Sequence, residues 1–117
     1  MTFELIEKIA LSLNGATKEY KTSWDATLYW IENKMFLLVF EDKGIPVMNF
    51  KNDEFINLHL RETYLEITAG YHMNKKHWNS LYFQNSKIKE EFLRQLITES
   101  YEIILNSLPK KKKLLYM

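Results

Sequence analysis

An α+β fold, an antiparallel meander with helices packed mainly on one face, is what this sequence predicts, on three observations. Apolar residues recur at helical spacing near the N-terminus and again from Lys87 to Leu108. Between them lie β-branched and aromatic runs separated by short polar turns. The resulting order is helix, meander, helix, strand, long helix, which places helices on one side of an antiparallel sheet.

Each element has its own signal. From Thr2 to Leu13, the residues Phe3, Ile6, Ala10 and Leu13 form one stripe, widened by Leu5 and Ile9. Thr2 is the expected N-cap and Asn14-Gly15 the expected stop. Strands are expected from about Glu19 to Thr22, from Thr27 to Ile31, and from Met35 to Phe40. The last is apolar on both faces and so reads as central. Glu32-Asn33-Lys34 and Asp42-Lys43-Gly44 read as turns, with Pro46 opening a strand to Phe50. Asn52 or Asp53 should cap a short helix to Arg61, offering Phe55, Ile56 and Leu60 to the core. A weak strand, Glu66 to Ala69, and a strong one, Trp78 to Phe83, precede a long helix capped by Ser86 and ended by Pro109. Residues 1–109 thus read as one domain and 110–117 as a basic tail.

Composition narrows the class. A chain of 117 residues with 46% hydrophobic residues can bury one core without staples. It has no cysteine, which removes disulfides and thiolate chemistry. Glu4 and Glu7 interrupt the apolar N-terminal residues and no basic segment precedes them, so no secretory signal is expected. The longest apolar run, Met35 to Phe40, is far short of the roughly 20 residues that span a bilayer. The expected location is the cytoplasm, with no membrane partner. Charge is divided along the chain. Residues 1–70 carry seven basic and eleven acidic residues, a charge of −4, whereas 71–117 carry nine and four, a charge of +5. Such a division suits either an anionic partner for the C-terminal part or a solvated helix end and tail.

The search for chemistry leaves one dense stretch. Three scattered glycines make no phosphate-binding loop, and no zinc or nucleophile motif occurs. No cofactor, metal or catalytic residue is expected. His72 and His77, five apart, share neither a helix face nor a strand face. Tyr71-His72-Met73-Asn74-Lys75-Lys76-His77-Trp78 gathers two lysines, two imidazoles and a turn-forming Asn between two aromatic residues. Lysine and histidine donate to anions, and a turn at Asn74 could aim backbone amides outward as an anion nest. On a purely structural reading the same lysines are solvated, and Tyr71 and Trp78 are core anchors ending two strands. Lys110 to Lys113 either complement the end of the long helix or attract phosphates.

The run Gly70 to Asn79 resembles the signature of the MmcQ/YjbR family of small bacterial proteins. Trp24-Asp25-Ala26-Thr27, Lys34-Met35-Phe36, Asn49-Phe50-Lys51, Ser100-Tyr101-Glu102 and Leu108 to Lys112 fall in the same order and spacing. Asn49 stands where the family often has Ser. The resemblance spans nearly the whole chain. It implies a CyaY-like, double-wing fold and a DNA-binding role. DNA is then the expected partner, with His72, Asn74, Lys75, Lys76, His77 and Lys110, Lys111, Lys112 and Lys113 as its contacts. The alternative is a module that binds a small anionic metabolite or a protein through the same loop.

Overall fold

The computed structural model describes residues 2–117. The first helix, α1 (Phe3–Ser12), starts where expected: the Thr2 hydroxyl accepts from the Leu5 amide at 3.1 Å. Gly15, at φ 77°, turns the chain into β1 (Thr17–Lys21), an exposed edge strand. A single 3-10 turn, Thr22–Trp24, leads into β2 (Ala26–Ile31), followed by β3 (Lys34–Asp42) and β4 (Ile45–Lys51). The β2–β3 and β3–β4 turns fall at the predicted positions, with Glu32, Lys43 and Gly44 at positive φ. Pro46 is the second residue of β4 rather than the first. Then come α2 (Glu54–Thr63), β5 (Ile67–Ala69), β6 (Trp78–Tyr82), α3 (Glu90–Asn106) and α4 (Lys110–Leu114).

The six strands form one antiparallel sheet in the order β1-β2-β3-β4-β6-β5. The final hairpin thus inserts β6 beside β4 and puts the short β5 at the edge. β3 lies well inside the sheet, as its double-sided apolar pattern requires. One face carries the main core. There Tyr29, Phe36, Met48, Phe50 and Leu81 pack under Ile6 and Ile9 of α1 and Leu93, Leu96, Ile97 and Ile104 of α3. The other face has a smaller cluster, Ala26, Leu28 and Leu38, flanked by Trp30, Met35, Phe40 and Met73. Among the described residues no helix contributes to that cluster, and its one contact from outside the sheet is the loop residue Met73.

Three local expectations differ from the structure. Ser86 does not cap α3, which begins at Glu90 without a side-chain cap. Its hydroxyl instead donates to Glu66 and accepts from the Ile88 amide, fastening the preceding loop. Phe55 and Ile56 lie outside the core, 76% and 43% exposed. The inward face of α2 runs through Asn57, Leu60 and Arg61, so it is largely polar, for a reason found in the neighbouring loop. Tyr71 is also no core anchor: it is 38% exposed and leaves the sheet, whereas Trp78 is buried as expected.

The basic tail is folded. Residues 110–114 form α4, and Tyr116 follows it back onto the domain. The Tyr116 hydroxyl donates to Glu32 at 2.7 Å, its carbonyl accepts from the Asn14 amide group at 3.1 Å, and Lys112 lies 3.8 Å from Glu32.

Buried phenols make this fold sensitive to alkali. Burial, then the charge of Glu7, pushes the Tyr29 hydroxyl well above the ordinary tyrosine range, and burial also raises Tyr82 and Tyr101. Their folded values exceed the unfolded value of about 10, so the unfolded chain loses these protons first. Stability is therefore fully present below about pH 10 and is lost as pH rises through the folded values. Thermal melts from pH 8 to 11.5 should show this decline, and Tyr29→Phe should flatten it. An unchanged slope in that variant would assign the alkaline sensitivity elsewhere.

Candidate functional site

The site is built on the loop between β5 and β6. Gly70 faces Trp78 across the hairpin, its amide donating to the Trp78 carbonyl at 2.9 Å. Beyond Gly70 the chain crosses the helix-free face of the sheet. The Tyr71 amide donates to Ser80 Oγ at 2.9 Å and its carbonyl accepts from Asn49 Nδ2 at 3.0 Å. Ser80 in turn donates to Asn49 Oδ1. Asn49 and Ser80 are fully buried partners on adjacent strands, so this triad pins the outgoing arm to the middle of the sheet.

The returning arm is held from the α2 side. Asn57 donates to the carbonyls of Asn52 and Lys76, each at 3.2 Å. Asn79 donates to the Asn57 carbonyl and accepts from Arg61 Nε at 2.6 Å. Arg61 also donates to the carbonyls of Lys75 and, at 3.4 Å, Trp78. The Asn52 amide donates to the His77 carbonyl at 3.0 Å. This explains the polar inner face of α2: it satisfies loop carbonyls that no strand reaches. Asn57 Oδ1 is the one fully buried side-chain polar atom among the described residues without a partner.

Most of the predicted contact residues meet here. His72, Asn74, Lys75, Lys76 and His77 all lie on the loop with exposed side chains. Their roles differ. Asn74 Oδ1 accepts from the amides of Lys76 and His77, and its carbonyl accepts from Trp78. The turn therefore closes on its own side chain, and the expected nest of outward amides is filled by Asn74 itself. Lys75 bends back, its ammonium donating to the Gly70 carbonyl at 3.0 Å. Lys76 and His77 point their backbone carbonyls into the protein and their side chains out. His72 sits at φ 61°, a region costing a non-glycine residue about 1–3 kcal/mol, with its ring 4.0 Å from that of Tyr71.

Lys110 to Lys113 are elsewhere. They belong to α4, beside the β2–β3 turn, and no hydrogen bond or ion pair among the described residues joins them to the loop. By strand register the β2–β3 turn lies at the same end of the sheet as Trp78, with β4 between β3 and β6. Loop and tail are thus basic features at one end of the sheet with no bond between them among the described residues.

A cleft not expected from the sequence adjoins the loop tip. Its floor is Ala26 and Leu38, and Trp24, Phe40, Tyr71, His72 and Met73 wall it, enclosing about 320 Å³. Tyr71 stacks on Phe40 with centroids 6.0 Å apart and planes 19° apart. Trp24, 53% exposed, carries the Lys21 ammonium over its ring at 3.7 Å. Asp25, the next residue, is at φ 48° and accepts from the Tyr20 hydroxyl. The two aromatic walls, Trp24 and Tyr71, thus each precede a non-glycine residue in the left-handed conformation. The sequence hint was Trp24-Asp25 itself, an aromatic residue in a family-like segment with no obvious place in the core.

Among the described residues no group of three or more His, Asp or Glu could hold a metal ion. Among the same residues no helix is long and apolar enough to cross a membrane.

Comparison with known proteins agrees with this architecture. The YjbR family model matches residues 11–103. Over 108 residues the chain is 34% identical to YbdF of Escherichia coli O157:H7, covering 92% of this chain and 88% of that one. Over 113 residues it is 26% identical to YjbR of Escherichia coli K12, covering 97% and 95%. A crystal structure of a Deinococcus radiodurans DUF419 protein superposes with a TM-score of 0.86 at 19% identity, covering 98% of this chain and 87% of that one. A Pseudomonas syringae protein gives 0.76 at 20%, covering 88% and 98%. With all six strands, Trp24 and the whole β5–β6 loop inside the matched residues, the chain belongs to the YjbR family.

Proposed function

We propose that this protein is a non-catalytic DNA-binding module whose contact surface is the β5–β6 loop and the helix-free sheet face beneath it. The observation that carries the reading is the anchoring of the loop. Asn49, Asn57, Asn79 and Ser80 are buried polar residues, and together with Arg61 they hold a loop whose own side chains are exposed. Burying amides and a hydroxyl is favourable only when they are bonded, and a network of this kind fixes geometry more than it adds stability. What it fixes is a set of donors: His72, Lys75, Lys76 and His77.

These groups are suited to phosphate oxygens. Side chains, not backbone amides, supply the contacts, because Asn74 already occupies the turn amides. Lys75 keeps two of its three ammonium protons beyond the Gly70 bond. The net charge of only +1 favours local contact over long-range attraction. Lys110 to Lys113 lie apart from this surface and serve at most as a second, weaker attachment.

The test is a salt titration of binding to a labelled oligodeoxynucleotide, read by fluorescence anisotropy. Affinity should fall linearly on a log–log plot. Replacing Lys75 and Lys76 together by alanine should reduce the slope by about one to two. A slope unchanged in that double variant removes the loop from the mechanism, and absence of binding at low salt removes the function.

A further inference from the structure

We propose that the cleft beside the loop receives one unstacked base of a single-stranded DNA, so that the protein prefers single strands to duplex. This rests on the DNA-binding reading and adds the form of DNA to it. The cleft is small: about 320 Å³ is near the lower end of the roughly 300–1,000 Å³ typical of ligand sites. That volume suits one planar ring system. Its surfaces suit one too. Trp24 stands on one side and the stacked Tyr71–Phe40 pair on the other, over an aliphatic floor of Ala26 and Leu38. Aromatic faces bind any base by stacking, with little sequence preference.

The rim supplies the charge that a nucleotide requires. The Lys21 ammonium lies 3.7 Å over the Trp24 ring, and the His72 imidazole lies against Tyr71. The nearest acidic group in the same segment, Asp25, is engaged by the Tyr20 hydroxyl. The cationic part of the loop, Lys75 and Lys76, continues from the rim, so a backbone leaving the cleft meets further positive charge. A base paired within a duplex presents only its edges in the grooves, and reaching the cleft would require flipping it out of the stack. A single strand offers the base freely. A free nucleotide would fill the cleft without extending to Lys75 and Lys76, so its binding should be much weaker.

The measurement is anisotropy and tryptophan fluorescence with a twelve-nucleotide thymidine single strand, its duplex with the complementary strand, and thymidine monophosphate. The single strand should bind about tenfold or more tightly than the duplex. Trp24→Ala and Tyr71→Ala should each weaken single-strand binding by about tenfold, well beyond their effect on duplex binding, and keep the salt slope. Trp24→Phe, which keeps an aromatic face, should retain most of the affinity. Both positions are exposed, and thermal melts confirm that the variants fold. Equal affinity for the two forms, with both alanine variants silent, overturns the base site while leaving the basic loop as the DNA contact. Thymidine monophosphate binding as tightly as the single strand overturns the strand as occupant. Failure of both DNA forms to bind overturns the DNA-binding reading together with this one.

Discussion

Gly70→Ala is expected to lower the melting temperature by about 12 °C and to release the β5–β6 loop. A Cβ at Gly70 would lie 2.7 Å from Trp78 Cβ, 2.8 Å from the Trp78 carbonyl oxygen and 3.0 Å from its carbon. Two of these neighbours are backbone, and the third is fixed to it, so none can swing away. The hairpin would have to open at the point where the Gly70 amide donates to Trp78. Overpacking of this kind typically costs 1–3 kcal/mol. The loss of a buried ladder bond adds about 1 kcal/mol, and the reduced freedom of the unfolded chain returns at most about 1 kcal/mol. A net loss near 3 kcal/mol corresponds to about 12 °C in a chain of this length. If the proposed function holds, the variant should also lose DNA affinity, because opening the hairpin displaces the carbonyl that holds Lys75. Gly44→Ala is the control for added Cβ bulk: nothing lies within 4 Å, and its cost comes only from its positive φ. A Gly70→Ala protein that melts with the parent would show that β5 can shift away at little cost.

Much of the fold could be read from the sequence because local signals there agree with the tertiary outcome. Thr2 caps α1, both meander turns fall where polar residues break the β-rich runs, and the double-sided pattern of β3 places it inside the sheet. The failures share a cause. Phe55 and Ile56 sit at helical spacing with Leu60 and look like a core stripe. The helix is rotated so that Asn57 and Arg61 face inward, because the carbonyls of Lys75 and Lys76 need donors. That demand arises some twenty residues away and leaves no trace in the local pattern. Ser86 fails likewise: its hydroxyl finds Glu66, a partner set by the β5–β6 pairing.

The candidate site was legible in composition but not in geometry. The density of Lys and His in the β5–β6 loop marked the exposed donors. Nothing in the spacing indicated that Asn74 would consume the turn amides, or that Lys75 would fold back on Gly70. The cleft was hidden for a different reason. Trp24 and Tyr71 are 47 residues apart, and they meet only because β6 inserts beside β4 and carries the loop over β2 and β3. The charge run itself does not say where the tail lies; its placement is decided by Tyr116 and Glu32.

Ser100→Ala should destabilise the protein about as strongly as Gly70→Ala, without altering any exposed surface. Ser100 is fully buried on α3, where its hydroxyl donates to the Phe36 carbonyl at 2.6 Å and accepts from the Lys51 amide at 2.8 Å. The register pairs Leu37 with Phe50, so Phe36 and Lys51 face one another at the end of the β3–β4 ladder. Ser100 completes that ladder from above and ties the long helix to the sheet. Alanine fits the same space but leaves a buried N–H and C=O unpaired, each costing about 1–3 kcal/mol. A loss of about 3 kcal/mol is therefore expected, again near 12 °C. Ser86→Ala removes a hydroxyl with the same number of bonds from a partly exposed loop, where water replaces them, and should change the melt by less than about 2 °C. Hydrogen exchange distinguishes the mechanism from general loosening: in Ser100→Ala the Lys51 amide should exchange faster, while Leu38 and Asn49, further along the same ladder, keep their protection relative to global unfolding. If Lys51 stays protected and the melt is unchanged, the two strands have closed the gap with a direct bond and the serine is only a filler. The expected result instead makes Ser100 the joint between α3 and the sheet, and so fixes β4, on whose far face Asn49 holds the loop.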